Sequence, residues 1–128
     1  MKLPEIKKED LEILPIEKAL TIPASWYTRK DIFDFEISRV INSSWQYAGH
    51  FTQIPNTGDY LLFEISGKPV LAVRSDEKKI NAFYNVCRHR GGPLALDNGN
   101  CKLFQCKYHG WTYKLDGSLH KTPQFGPV

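Results

Sequence analysis

The sequence predicts a mainly β domain, an antiparallel barrel or sandwich that carries two ligand-bearing loops and is preceded by an N-terminal arm and one amphipathic helix. Three observations carry this expectation. From Trp45 onward short apolar runs alternate with turn signals, helical periodicity is confined to one earlier stretch, and Cys and His concentrate in two segments at the ends of strand-like runs. At 128 residues the chain is long enough for one core and short for two.

Residues 1 to about 27 mix Pro4, Pro15 and Pro23 with scattered charge and read as an arm. Thr28-Arg29-Lys30-Asp31 then has the form of a capping box, and Phe33, Ile37, Val40 and Ile41 follow at helical spacing. A helix over roughly 29–42 is expected, its apolar stripe packed on a core. Arm and helix together make residues 1–43, and the β domain makes residues 44–128. Strands are expected at 45–49, 60–65, 70–74, 80–84, 101–105 and 112–115, where aromatic, β-branched and other apolar residues gather. Ser66-Gly67, residues 75–79 and Asp116-Gly117 supply the turns between them.

Hydrophobic residues at 41% and charged residues at 24% match an ordinary globular chain, so neither a fibrous nor a disordered class is indicated. No apolar run approaches membrane-spanning length, and Met1 to Pro15 alternates charged and apolar residues too tightly for a secretory signal. A cytoplasmic chain with no membrane partner is expected. The net charge of +3 is modest and no basic run interleaves with aromatics, which argues against nucleic acid. Cys101 lies in an apolar strand pattern and is expected as a small buried hydrophobe, not as half of a disulfide.

Two segments carry the chemistry. Cys87-Arg88-His89-Arg90-Gly91-Gly92 and Cys106-Lys107-Tyr108-His109-Gly110-Trp111 each offer one thiolate and one imidazole, in the pattern C-x-H, sixteen residues, C-x-x-H. This is the donor set of a Rieske [2Fe–2S] centre, in which two Cys hold one iron and two His the other, so that the potential lies above that of an all-Cys cluster. Zinc pairs are usually separated by about two to four residues, whereas the single residue Arg88 sends Cys87 and His89 more naturally to two different irons. A mononuclear Cys2His2 zinc site is the alternative. Gly91, Gly92 and Gly110 suit a backbone that runs close to metal and aims N–H groups at sulfur, and Pro93 stiffens the first loop.

These loops also carry a family resemblance. The chain resembles the Rieske oxygenases, in particular the N-terminal part of the large subunit in the ring-hydroxylating and choline monooxygenase-like group. The matching pieces are Trp26-Tyr27-Thr28, Ser44-Trp45-Gln46-Tyr47-Ala48-Gly49-His50, Asn85-Val86-Cys87-Arg88-His89-Arg90-Gly91, and Cys106-Lys107-Tyr108-His109-Gly110-Trp111 running on to Leu115-Asp116-Gly117. They cover residues from about 20 to 120. The resemblance implies one Rieske-type cluster held by Cys87, His89, Cys106 and His109, with Arg90, Gly91, Tyr108, Gly110, Trp111 and Tyr113 around it. It implies a Rieske barrel or sandwich whose two loops clasp the cluster and leave the His-ligated iron outermost, so that the imidazole edges are the electron port.

The implied function is electron transfer. A reductase or ferredoxin would donate electrons, and they would pass to a mononuclear iron in an oxygenase catalytic domain, in cis or in trans, of monooxygenase or dioxygenase type. No catalytic residue is expected in this chain, because that iron needs two His and a carboxylate. Only His50 and His120 remain once the cluster is supplied, and both are expected as surface or hydrogen-bonded structural residues. A free-standing Rieske ferredoxin is the alternative; the match of residues 20–50 to the large subunit favours the oxygenase.

Departures from the quinol-oxidising Rieske proteins sharpen the expectation. Those proteins carry an extra Cys in each loop, joined as a disulfide, where this chain has Gly92 and Tyr108. They place a Ser hydroxyl where this chain has Trp111, which here is expected to cover the cluster or pack on a neighbouring domain. Loss of a hydroxyl donor to the cluster sulfurs implies a lower potential, with Tyr113 left as a possible donor. Arg88, Arg90, Lys102, Lys107 and Lys114 fall in or beside the cluster segments and make either a basic rim that orients an acidic electron donor or an ordinary solvated surface.

Overall fold

The computed structural model describes residues 3–123. They fall into two compact units, Met1–Gln46 and Tyr47–Val128.

In the first unit, 3-10 turns at Lys8–Leu11 and Ala24–Tyr27 precede helix α1, Lys30–Arg39, and a further 3-10 turn occupies Ile41–Ser43. The helix is shorter than the expected 29–42. It ends where β-branched Val40 and Ile41 give way to Asn42-Ser43-Ser44, whose side chains compete for backbone hydrogen bonds and favour turns. The expected capping box does not form, because the Thr28 hydroxyl donates to the Ser25 carbonyl and Arg29, at the N-cap, pairs with Asp31 at 2.6 Å. The inward face is also rotated. Ile32 is buried and Phe35, Ile37, Ser38 and Ile41 are half-buried, while Phe33 and Val40 of the expected stripe lie exposed.

The second unit holds two antiparallel sheets. Strands β1 (Asp59–Ile65), β2 (Lys68–Asp76), β3 (Lys79–Tyr84) and β4 (Gly99–Asn100) make the first, in the order β3-β2-β1-β4; β5 (Phe104–Gln105), β6 (Thr112–Tyr113) and β7 (Leu119–Lys121) make the second. Among the described residues the sheets do not close into a barrel. The β1–β2 turn is the expected Ser66-Gly67, with φ of 53° and 75°, the positive pair of a type I′ hairpin.

Three strand expectations need correction. Residues 45–49 form no ladder: Trp45 and Tyr47 are exposed, and Gly49 turns at φ 149°, so alternation alone found no partner edge. The strands expected at 101–105 and 112–115 shrink to two-residue ladders. β4 and β7 were not expected, since Gly99-Asn100 has no strand propensity; the Asn100 amide, donating to the Asp59 carboxylate at 2.8 Å, helps hold β4 against β1.

β2 lies between β1 and β3, and residues 70–74 are buried on both faces, which is why Val70 to Val73 read as a continuous apolar run. Leu71 and Val73 pack with Leu94, Ala95, Phe104, Tyr113, Cys87 and Cys106; Ala72 packs on the other face with Leu61 and Ile54. At the strand end the buried Arg74 guanidinium donates to the carbonyls of Ile54, Glu77 and Phe51. Both ligand-loop cysteines thus belong to the main core, so the sheets that bury Leu71 and Val73 also fix the two loops.

Candidate metal centre

Each loop leaves the core at its cysteine and is closed by the same pair of backbone hydrogen bonds. In the first, Cys87 N–H donates to Gly92 O at 2.7 Å and Gly91 N–H donates to Cys87 O at 2.9 Å. In the second, Cys106 N–H donates to Trp111 O at 2.9 Å and Gly110 N–H to Cys106 O at 2.9 Å. Gly91 and Gly110 turn the matching corners with φ of 74° and 75°, a conformation that costs an L side chain about 1–2 kcal/mol. The two loops are therefore conformational copies.

The one difference is where the imidazole sits, two residues after Cys87 but three after Cys106. Both rings nevertheless meet, with His89 and His109 centroids 4.6 Å apart and edge to face. Trp111 stacks on His89 at 4.9 Å with planes 10° apart, and Tyr108 leans on His109 at 3.9 Å. Cys87 and Cys106 are buried, His89 is half-buried and His109 is exposed. The sulfurs face the core and the imidazoles lie toward the surface.

Tyr113 supports the inner side. Its hydroxyl lies 3.2 Å from Cys87 Sγ and accepts the Arg88 N–H at 3.0 Å, which leaves the phenolic proton free for sulfur. Burial, and after it the Cys87 contact, pushes the Tyr113 phenol up to about 12. Burial raises the Cys87 thiol, but hydrogen bonds from Tyr113, the His89 N–H, Cys106 and the Arg90 N–H outweigh it and bring the group below its ordinary value, toward the thiolate that binds metal. His89 is held low by desolvation first, then by His109 and Arg90, which favours the neutral ring that a metal needs.

The first loop has an anchor that the sequence reading gave no role. Buried Asn85 accepts the N–H groups of Leu94 at 2.9 Å and Ala95 at 3.0 Å, donates to Ala95 O at 2.8 Å, and gives its own N–H to Pro69 O at 2.9 Å. The loop is thus pinned at both ends and tied to β2. An Asn two residues before the C-x-H cysteine was the available signal, since a buried amide is kept only where backbone groups need it.

The donor set fits a two-iron cluster. Two buried sulfurs and two outward imidazoles stand on paired loops. Gly92 belongs to this cradle: a Cβ there would lie 3.4 Å from Cys106 Sγ and 3.8 Å from the Tyr108 Cβ. The second distance is that of a disulfide, roughly 3.8 Å, so positions 92 and 108 face each other where a bridge could form, and Gly and Tyr stand there. No disulfide joins Cys87, Cys101 or Cys106.

The remaining expected residues separate. Arg88, Arg90 and Lys107 are exposed on the loops, but Lys102 and Lys114 line a groove at the opposite ends of β5 and β6, so no single basic rim contains all five. Cys101 is half-buried against the main core. His50 starts the 3-10 turn Phe51–Gln53, its N–H on the Gln53 amide oxygen at 2.8 Å and its ring on the Thr52 hydroxyl at 2.8 Å, a structural role; His120 is exposed on β7. No helix of the described residues is long and apolar enough to cross a membrane.

Residues 44–128 match the family described as Rieske [2Fe-2S] domain. The chain is 41% identical over 104 residues to the carnitine monooxygenase oxygenase subunit of Escherichia coli (strain K12), covering 80% of this chain and 28% of that protein. It is 39% identical over 115 residues to chloroplastic choline monooxygenase of Arabidopsis thaliana, covering 90% and 27%. In three dimensions it is similar to the naphthalene 1,2-dioxygenase from Rhodococcus sp. bound to indole, with a TM-score of 0.75 and 35% identity over 80% of this chain and 24% of that one. The chain spans about a quarter of the length of the relatives it matches. It belongs to the Rieske [2Fe–2S] domain family, in the form that Rieske oxygenases carry, and its cofactor is a Rieske-type [2Fe–2S] cluster.

Proposed function

We propose that this chain is the electron-transfer domain of a Rieske oxygenase, with Cys87 and Cys106 holding one iron and His89 and His109 the other. The observation that carries the assignment is the pair of matched loops that put two sulfurs in the core and two imidazoles, 4.6 Å apart, on the outside. Bound there, the cluster supplies a one-electron acceptor and donor. Tyr113 directs its proton at Cys87, favouring negative charge on that sulfur. Trp111 fixes the plane of His89, and the imidazole edges present the route along which the electron leaves. Arg90, Gly91, Tyr108 and Gly110 shape the loops around the four ligands.

In this reading electrons arrive from a reductase or ferredoxin and pass to a mononuclear iron in a catalytic domain, in cis or in trans. The division near residue 43/44 separates an arm and helix from the cluster domain, and the setting is cytoplasmic. The matched relatives are oxygenase subunits, which gives the free-standing ferredoxin no support.

Reconstitution with iron and sulfide tests the proposal. The chain should hold two irons and two acid-labile sulfides, be red-brown, and lose both on Cys87→Ser or Cys106→Ser. Zinc without labile sulfide would refute it. The loaded chain should accept an electron from a reductase and hydroxylate nothing; iron-dependent product from this chain alone would show that His50 or His120 has been misread.

A further inference from the structure

The groove at the far ends of β5 and β6 has a volume of about 500 Å³ and is lined in part by Lys79, Lys102, Lys114 and His120 with Asp76 and Asp116. Each acid also accepts hydrogen bonds within its own turn. Asp76 accepts the Lys78 N–H at 2.8 Å, and Asp116 accepts both the N–H and the hydroxyl of Ser118, at 2.9 and 2.6 Å. Those Ser118 bonds, with a smaller Coulombic contribution from Lys114, hold the Asp116 carboxyl below its usual range. The three lysines form no ion pair among the described residues, where the pairs found are Arg29–Asp31 and Lys30–Asp34 in the other unit. Three lysines against two carboxylates leave the groove a net charge of +1, apart from His120.

Its position is as telling as its charge. Leu103, on its wall, is three residues from Cys106, with β5 between them. Lys114 is the chain neighbour of Tyr113, whose hydroxyl touches Cys87 Sγ at 3.2 Å. The groove thus approaches the centre from the cysteine side, opposite the outward imidazoles. If electrons leave past His89 and His109 toward a second iron, a donor docked on those rings would block their exit.

We propose that this groove docks the acidic face of the protein that donates electrons, so that they arrive on the cysteine side, by way of β6 and Tyr113, and leave on the histidine side. This rests on the electron-transfer reading above. The step moves one electron, oxidising the donor's reduced centre and reducing the cluster, and no bond is made or broken. Long-range attraction into a basic groove speeds encounter and weakens with salt.

The test uses the full cluster-loaded chain and a fluorescein-labelled ten-residue oligo-glutamate, followed by anisotropy. Binding should weaken at least tenfold between low and physiological salt. It should also weaken at least tenfold in the double variant Lys102→Glu/Lys114→Glu, with the cluster spectrum unchanged; Lys102→Gln/Lys114→Gln serves if charge reversal impairs folding. Binding lost on Lys107→Glu but kept in the groove variants would move the docking face to the loops and overturn the proposal. So would inorganic pyrophosphate displacing the peptide at equal or lower concentration, which would make the groove a small-anion site. A chain that binds the peptide through the groove but takes up no cluster would refute the electron-transfer reading and leave the acidic docking site standing. A loaded chain that binds no peptide would refute docking alone.

Discussion

The Tyr113 hydroxyl and the Cys87 sulfur, 26 residues apart in sequence, lie 3.2 Å apart in the core, and the Arg88 N–H fills an acceptor site of the same oxygen. That geometry aims the phenolic proton at sulfur. A hydrogen bond to sulfur favours the reduced, more negative centre, so Tyr113→Phe should lower the midpoint potential. If the bond differs by about 1 kcal/mol between redox states, the drop is roughly 40 mV for a one-electron couple. Protein-film voltammetry of the wild type and variant measures it, and an unchanged or higher potential contradicts the role.

The pH dependence of the same potential follows from the imidazoles. The oxidised centre withdraws charge from His89 and His109 and favours loss of their outer protons, and reduction reverses this. Electron uptake therefore becomes coupled to proton uptake above the oxidised-state values of the pair. The potential should be flat at lower pH and fall as pH rises, by up to about 59 mV per pH unit for each proton. Tyr113, at about 12, keeps its proton through most of that range, so the early part of the fall belongs to the histidines. Its absolute value should lie toward the low end of roughly −150 to +300 mV, since Trp111 stands in place of a hydroxyl donor. A potential independent of pH would rule out histidine ligation.

Asn85 gives a stability prediction. Asn85→Ala strips partners from the N–H groups of Leu94 and Ala95 and from the Ala95 carbonyl, all at a buried site. The cost should be about 2–3 kcal/mol, with faster loss of cluster as the loop loosens. Urea unfolding and the decay of visible absorption report the two effects. Full stability in the alanine variant would mean that water replaces the amide.

Acid sensitivity should have one source at Asp59. Its carboxylate accepts the Asn100 amide at 2.8 Å and the Asn56 N–H at 2.7 Å, and these bonds, the Asn100 one foremost, hold it below its ordinary range. A depressed folded-state value means stability that is complete above the unfolded value, roughly 4, and is lost as pH falls through the lower, folded-state value. Acid titration of thermal stability should show this loss, and Asp59→Asn should flatten that part of the curve. An unchanged curve would place the acid response elsewhere.

How much of this was legible depended on the range of the interactions involved. The cluster loops could be read because their ligands lie two or three residues apart, a spacing set by the chain itself. The Ser66-Gly67 turn and the presence of one helix were local in the same way. The capping box at Thr28 was a local pattern that lost to the Arg29–Asp31 pair, and the alternation at 45–49 was one that joined no sheet.

By itself, then, the sequence determined the donor set, its pairing into two loops and the family those loops resemble, because short-range spacing limits which donors can share a centre. Only the tertiary structure decided that the loops are conformational copies with both sulfurs in the core, that Asn85 clamps the first of them, and that Tyr113 reaches Cys87. It also divided Lys102 and Lys114 from Arg88, Arg90 and Lys107. Those relationships join residues tens of positions apart, and they are set by which sheet faces bury Leu71, Val73 and Phe104 together, a packing choice that no local pattern encodes.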